Sequence, residues 1–367
     1  MVKLAKMETL TITHRRHVKL VKDYEAAAAA ANLLYVSDKD AGITRIKKEG
    51  SFEYFYGNKP VTEEDKLERI KKLAVPPAWE KVWICMKENG HIQATGFDVR
   101  QRKQYRYHTL WNHLRNETKF HKLLEFAKVI PALRLQVEKD LSLKELSDRK
   151  VIATVISLME RTYIRIGNVE YEKMNGSHGL TTMHDRHVKV DGEKISFSFN
   201  GKKSIHHDVS LKNKKLAKVI QQCKDIPGKE LFQYYDKEGQ RKSIDSGMVN
   251  AYIKEVTGDV FTAKDFRTWA GCLHLLMAFK NMSVAINATA SKRNINEALD
   301  YVSTHLGNTR TVCKKYYVHP GLIRLYEENK LNKYLRELDS IEVDDNYAAL
   351  TREEIVLTKL LKLLQRL

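Results

Sequence analysis

Apolar residues change their spacing near residue 109, and this change splits the chain into two kinds of fold. From Leu33 to about His108 the pattern is a series of short β-rich runs: ITRIKK (43–48), FEYFY (52–56), VWICMK (82–87) and HIQATG (91–96). β-branched and aromatic side chains of this kind pack well on a pleated surface. Glu88-Asn89-Gly90 separates the last two runs and predicts a tight hairpin, because Asn-Gly tolerates positive φ. Residues 75–79 (VPPAW) break regular structure, since neither proline can donate a backbone hydrogen bond, and set the approach to a strand at Val82. The alanine run 26–31 favours a short helix by propensity and is assigned no function.

From Thr109 onward apolar residues recur at three- and four-residue steps, as in Trp111, Leu114 and Phe120, then Leu123, Leu124 and Ala127. A second stripe (Ile152, Val155, Ile156, Met159) predicts a helix that stops at Gly167-Asn168, with Arg165 at its end. Between about 179 and 210, the runs HVKV, KISFSF and SIHHDVSL are joined by Asp191-Gly192 and Asn200-Gly201. They read as a three-stranded meander with Lys202 on its last turn. Further helices are predicted over 212–224, over 262–279 with a Thr262/Asp265 capping box, and over 297–306 with a stop at Gly307-Asn308. The charged segment 330–367 is also helical, with no role evident. The fold class is therefore α+β, with a small β-rich amino-terminal domain (1–109) and a larger, mainly α-helical domain containing the meander (110–367).

The 367 residues suffice for a sizeable core in two or three domains. Cys85, Cys223, Cys272 and Cys313 lie far apart, with no spacing typical of a zinc ribbon or redox pair, and read as free thiols. No window approaches the roughly 20 apolar residues of a membrane span. Residues 1–20 lack a signal-peptide core, so a soluble cytoplasmic protein is expected, associated with the nucleoid if bacterial. The formal net charge of +18 raises a long-range positive field that attracts polyanions, nucleic acid first among them.

Breaking a phosphodiester with a protein nucleophile requires a hydroxyl, cations on the nonbridging oxygens and a proton donor for the departing oxygen. Arginine matches phosphate bidentately, and a lysine whose pKa is lowered by neighbours can give up a proton. With 64 Lys and Arg residues, single candidates mean little, and joint order carries the information. That order is RTYIRIGN (161–168), NGKKS (200–204), AKDFRTW (263–269) and HLGNTRTVCKKYYVHP (305–320), preceded by PPAWEKVWI (76–84) and IQATGFDVRQRKQYRYH (92–108). In these blocks the chain resembles the type IB DNA topoisomerases, and in particular their compact bacterial and poxvirus branch, over about residues 30–325.

The resemblance implies that Tyr317 attacks the scissile phosphate to form a 3′-phosphotyrosyl bond, the nine-residue step from Asn308 selecting it over Tyr316. It implies that Arg165 and Arg267 neutralise the transition state and that Lys202 protonates the 5′ leaving oxygen. A turn one residue out of register would exchange Lys202 for Lys203. Asn308 stands where many relatives carry histidine; bacterial members often have this asparagine, whose amide can donate a hydrogen bond but cannot be charged. Lys264 is a possible second cation. Arg102, Tyr105 and Tyr107 are implied groove-side DNA contacts, and Tyr171, six residues past Arg165, matches a DNA-contacting position of the poxvirus branch.

Relaxation of supercoils of either sign follows, by a monomer closing on duplex DNA as a C-shaped clamp, with no membrane, obligatory protein partner, nucleotide cofactor or metal. There is no Walker loop, the acidic pair Asp344-Asp345 lacks the setting of a metal site, and His206-His207 face opposite sides of a strand, which makes them structural. Tyrosine recombinases share the Arg, Lys, Arg, Tyr set but usually carry HxxR where this chain has Lys264-Asp265-Phe266-Arg267, and they lack the PPAW and QATG blocks. A non-enzymatic DNA-packaging protein would account for the charge but would form no covalent adduct.

Overall fold

The β-rich runs pair into one antiparallel sheet. Strands β1 (Gly42–Lys48), β2 (Ser51–Tyr56), β3 (Lys59–Pro60), β4 (Glu80–Cys85), β5 (Ile92–Phe97) and β6 (Lys103–Tyr107) lie in the order β3-β2-β1-β4-β5-β6. The structure, a computed structural model, describes residues 14–365 apart from 22, 49, 259–260, 284 and 339–347. It divides into two compact units, one ending at Lys122 and the other beginning at Leu123.

In the first unit, register places Ile43 opposite Ile84 and Ile84 opposite Ala94, so three fully buried side chains cross the central strands in a row. Val61, Val82 and Ile70 complete that core. Helix α1 (His14–Leu20) and helix α2 (Tyr24–Ala30) form a second apolar cluster with Trp111 and Leu114, with Asp23 capping α2. The alanine run is thus a packed helix, not a spacer. Ile70 comes from helix α3 (Glu64–Lys72), whose remaining faces are charged. Fully burying an isoleucine is worth roughly 1.5–3 kcal/mol, so both clusters stabilise this unit without a disulfide.

Between β4 and β5, neither Asn89 nor Gly90 adopts positive φ, contrary to expectation. Gly90 is required for space, because a Cβ there would lie 2.6 Å from Cys85 Sγ. The residue also sits in a bridge with Leu34, and this third segment takes the place of a two-residue turn.

Helix α4 (Thr109–Leu141) begins at the expected boundary, and the two units divide within it. The second unit is mainly helical. It contains α5 (Asp148–Thr162), α6 (Val169–Asn175), α7 (Lys214–Lys224), α8 (Ser246–Thr257), α9 (Ala263–Lys280), α10 (Ala288–Leu306), α11 (Arg310–Tyr316), α12 (Pro320–Glu327), α13 (Asn332–Glu337) and α14 (Arg352–Leu364). The meander is β7 (Val188–Asp191), β8 (Lys194–Asn200) and β9 (His206–Lys212), and β10 (Gln233–Tyr235) pairs with β11 (Arg241–Ser243).

Helix α9 is buried along almost its whole length, which marks it as the core helix that α5, α8, α10, α13 and α14 pack around. Its predicted Thr262/Asp265 capping box is present. Phe126 meets Phe266 and Trp269 of α9 edge-to-face and Phe261 at a tilt.

Three boundaries differ from the sequence reading. α5 stops at Thr162 because Tyr163 turns left-handed at φ 56°, so Arg165 lies beyond the helix in extended chain, and Asn168 opens α6 as its N-cap. α10 starts at Ala288, where the Asn287 side chain caps it, well before residue 297. In the turn after β8, Gly201 is not left-handed; Ser204 is, at φ 57°, in a short 3-10 turn over Lys202–Ser204. Asp344-Asp345 and residues 1–13 lie outside the described residues. No described helix is long and apolar enough to cross a membrane.

Candidate active site

Four of the five expected catalytic residues come together where helix ends meet. Arg267 is carried into the core by α9 and is 5% exposed. Its Nη1 donates to the carbonyl of Tyr163 and its Nη2 to that of Leu306 at 2.5 Å. Arg165 reaches the same place from the extended segment after α5. Its Nη2 donates to Gly307 O at 3.1 Å and to Asn308 Oδ1 at 2.5 Å. The acceptors Leu306 and Gly307 lie at the end of α10, where carbonyls lack intrahelical partners and carry partial negative charge.

Backbone carbonyls therefore hold both guanidinium groups, and neither arginine pairs with a carboxylate among the described residues. The consequence is electrostatic. Burial and the neighbouring Arg267 push Arg165 down to about 10, and burial pushes Arg267 down as well. The Nε–H of Arg267 is buried with no acceptor among the described residues. Two desolvated cations with a spare donor form a pocket that an anion would stabilise.

Tyr317 lies against this pocket as the C-cap of α11, with the Arg267 guanidinium 5.3 Å from its ring centroid. Its N–H donates to Cys313 O, and its carbonyl packs on α9 at Gly271, where a Cβ would come within 2.6 Å of it. Tyr316 is 40% exposed, whereas Tyr317 is half-buried. Asn308 follows the left-handed Gly307. Its Oδ1 is taken by Arg165, and its Nδ2 donates to Leu306 O at 3.3 Å, so its amide braces the arginine and the turn together.

Lys202 is not brought into contact with the other four. It is exposed in the turn between β8 and β9, and among the described residues it has no hydrogen-bond or ion-pair partner. The side chain of Lys203 lies outside the described residues.

His207, which the sequence marked as structural, belongs to this neighbourhood. Its ring stacks on Phe199 and sits over two glycines: a Cβ at Gly201 would meet it at 2.7 Å and one at Gly307 at 2.2 Å. Burial, with the charges of Arg165 and Arg267, holds its pKa below the usual histidine value. His207 thus joins the turn that carries Lys202 to the turn that carries Asn308. The only signal in the sequence was the alternation that turns His206 and His207 to opposite faces.

The expected DNA-contact residues are separate features. In the first unit, Tyr105 and Tyr107 project from edge strand β6, exposed and stacked on each other with centroids 5.7 Å apart. Arg102 is tied to Asp98 at 2.6 Å. In the second unit, Lys264 is exposed in the first turn of α9 and Tyr171 is 45% exposed on α6.

Residues 106–342 match the family model described as the catalytic core of eukaryotic DNA topoisomerase I, and residues 51–98 match that of the N-terminal domain of bacterial DNA topoisomerase IB. DNA topoisomerase 1B of Acanthamoeba polyphaga mimivirus is 33% identical over 297 residues, covering 78% of this chain and 88% of the viral protein. DNA topoisomerase 1B of vaccinia virus (strain Copenhagen) is 25% identical over 236 residues, 64% of this chain and 72% of its own length. DNA topoisomerase I of monkeypox virus is 24% identical with the same coverage.

Proposed function

The chain belongs to the type IB DNA topoisomerases, and from that premise we propose that it relaxes supercoils of either sign by cutting and resealing one DNA strand through Tyr317. The observation that carries this reading is the pair of guanidinium groups, Arg267 buried and Arg165 half-buried, without carboxylate partners among the described residues and beside the Tyr317 ring. Such a pocket suits a phosphodiester whose negative charge grows as a fifth oxygen approaches phosphorus.

In the proposed reaction the Tyr317 hydroxyl loses its proton to water and its oxygen bonds to phosphorus. Arg165 and Arg267 neutralise the nonbridging oxygens, with Asn308 holding Arg165 in place. The bond from phosphorus to the 5′ oxygen breaks, and Lys202 gives that oxygen a proton. The 3′-phosphotyrosyl ester conserves the energy of the broken bond. After the free strand rotates, the 5′ hydroxyl reverses the step, which requires neither nucleotide nor metal.

The test is relaxation of a supercoiled plasmid in excess chelator without ATP, followed by detergent trapping on a duplex labelled at either end. Stepwise relaxation is expected, with protein attached to the strand bearing the 3′ phosphate. A requirement for ATP, attachment to a 5′ phosphate, or strand exchange between paired sites would defeat the proposal, the last in favour of a recombinase.

For Lys202 the expected outcome is sharper. Lys202→Ala slows cleavage by about 10²–10⁴, the usual worth of a general acid. A substrate whose 5′ leaving oxygen is replaced by sulfur, which departs without protonation, recovers most of the loss in the variant. No recovery would transfer the role elsewhere, Lys203 being the next candidate. His207 supports this assignment by packing on Gly201, the residue before Lys202.

We further propose that the units close on duplex DNA as a C-shaped clamp, with Arg102, Tyr105 and Tyr107 of the first and Tyr171 and Lys264 of the second as contacts. The exposure of Tyr105, Tyr107, Tyr171 and Lys264 supports this reading.

A further inference from the structure

Three imidazoles converge on the path that joins α6 to β7. His178 lies just past the left-handed Gly176 that ends α6, while His184 and His187 bracket a short 3-10 turn. Their ring centroids are 4.4–5.2 Å apart. One ligand nitrogen from each lies within 4.8 Å of the other two, and all three residues are half-buried. We propose that His178, His184 and His187 form a binding site for a zinc-class divalent metal ion, separate from the strand-transfer chemistry.

The surroundings of the rings support this. A histidine that binds metal characteristically donates its second ring nitrogen to a carbonyl or carboxylate, which fixes the tautomer and orients the ring. His178 Nδ1 donates to Thr182 O at 2.6 Å, leaving Nε2 with its lone pair. His184 Nε2 is 2.8 Å from Glu172 Oε1, leaving Nδ1. Only His187 must give something up, because its Nδ1 accepts the His184 backbone N–H at 3.1 Å and its Nε2 accepts from Arg186 Nε at 3.5 Å.

Zn–N bonds of about 2.0–2.1 Å place tetrahedral ligands roughly 3.3 Å apart, so the ligand nitrogens close by up to about 1.5 Å on binding. Imidazole donors of this kind favour zinc and its transition-metal neighbours over magnesium or calcium. Glu172 Oε1 is also 4.0 Å from His178, so the same carboxylate faces two of the three ligands.

The site lies under the catalytic segment. The backbone N–H groups of Leu180 and Thr181 hold the carbonyls of Arg165 and Ile166, and His178 N donates to Asn200 O, at the entrance to the Lys202 turn. A bound ion would tie these hydrogen-bonded strands together and raise their resistance to unfolding.

The experiment uses full-length protein freed of metal by chelation and titrated with Zn2+ by calorimetry, with Co2+ as a spectroscopic probe. The expected result is one saturable site, tetrahedral cobalt absorption and a higher melting temperature with metal. His184→Ala/His187→Ala should weaken zinc binding by at least about 100-fold, and Glu172→Gln, which alters only the carboxylate, by about 10-fold or more. His206→Ala and His305→Ala should leave it unchanged. Absence of one-to-one binding by the native chain, or native affinity in the double variant, overturns the proposal. Circular dichroism separates loss of the site from loss of the fold, and Glu172→Gln tests the site in a chain with every imidazole intact.

Discussion

Replacing Tyr317 by phenylalanine should leave a folded protein that binds duplex DNA, forms no covalent adduct and relaxes no supercoils. The substitution removes the hydroxyl that meets the Arg165 and Arg267 guanidinium groups and retains the packing and backbone contacts that position the ring. The backbone carbonyl against Gly271, the N–H bond to Cys313 and the ring beside the Arg267 guanidinium all persist. Stability should therefore change by no more than about 1 kcal/mol, the net worth of a typical side-chain hydrogen bond. Tyr316→Phe is the matched control, since Tyr316 is exposed one residue away, and it should relax plasmid at the native rate. The measurements are gel-based relaxation, detergent-trapped adduct and thermal unfolding of both variants. Wild-type relaxation or any adduct in Tyr317→Phe would remove Tyr317 from the chemistry, and an adduct lost only in Tyr316→Phe would move it one residue back.

Glu354→Ala should cost about 3 kcal/mol of stability, through a mechanism unrelated to catalysis. Glu354 is 3% exposed and accepts both terminal nitrogens of Arg134, at 2.8 and 2.9 Å, along with the indole N–H of Trp269 at 2.9 Å. It also closes the capping box of α14 on Thr351 N. Removing one partner of a buried pair leaves the other charge desolvated, typically at about 3–5 kcal/mol. Arg134 keeps Glu160 at 2.6 Å, which places the expected cost at the lower end. Exposed pairs such as Lys72–Glu68, screened by solvent, should contribute far less. Urea unfolding of Glu354→Ala beside Glu68→Ala makes the comparison. A loss below 1 kcal/mol for Glu354→Ala would show that Glu160 alone satisfies Arg134.

These cases also show what could be read along the chain. The sheet, the meander and the start of α9 were legible because their signals are local: alternation, a capping box, a change of spacing. The stop of α5 was not. Tyr163 has none of the usual preference for left-handed backbone, and its carbonyl is held by Arg267 from another helix. Glu354 looked like one charge among many because its partner Arg134 stands 220 positions earlier. Within the site, the ordered motifs marked Arg165, Arg267, Asn308 and Tyr317 as a set, which the fold gathers. His207 was read only as structural because its place in the site comes from two glycines, one of them at the distant end of α10. The three histidines of the proposed metal site escaped for a similar reason, since their 178, 184, 187 spacing follows no familiar ligand pattern and only the folded loop brings them together.

The acceptors that hold the two guanidinium groups are main-chain oxygens of Tyr163, Leu306 and Gly307, together with one amide. Every amino acid carries that oxygen, so side-chain changes at Tyr163 or Leu306 that preserve the backbone path leave the cradle chemically unaltered. A carboxylate in the same role could be lost to one nucleotide change, and it would also have neutralised the two guanidinium groups. Mutational fragility is thereby concentrated in the few positions that dictate the trace of the chain, Gly307 among them, where a left-handed turn and the His207 ring leave no room for a side chain.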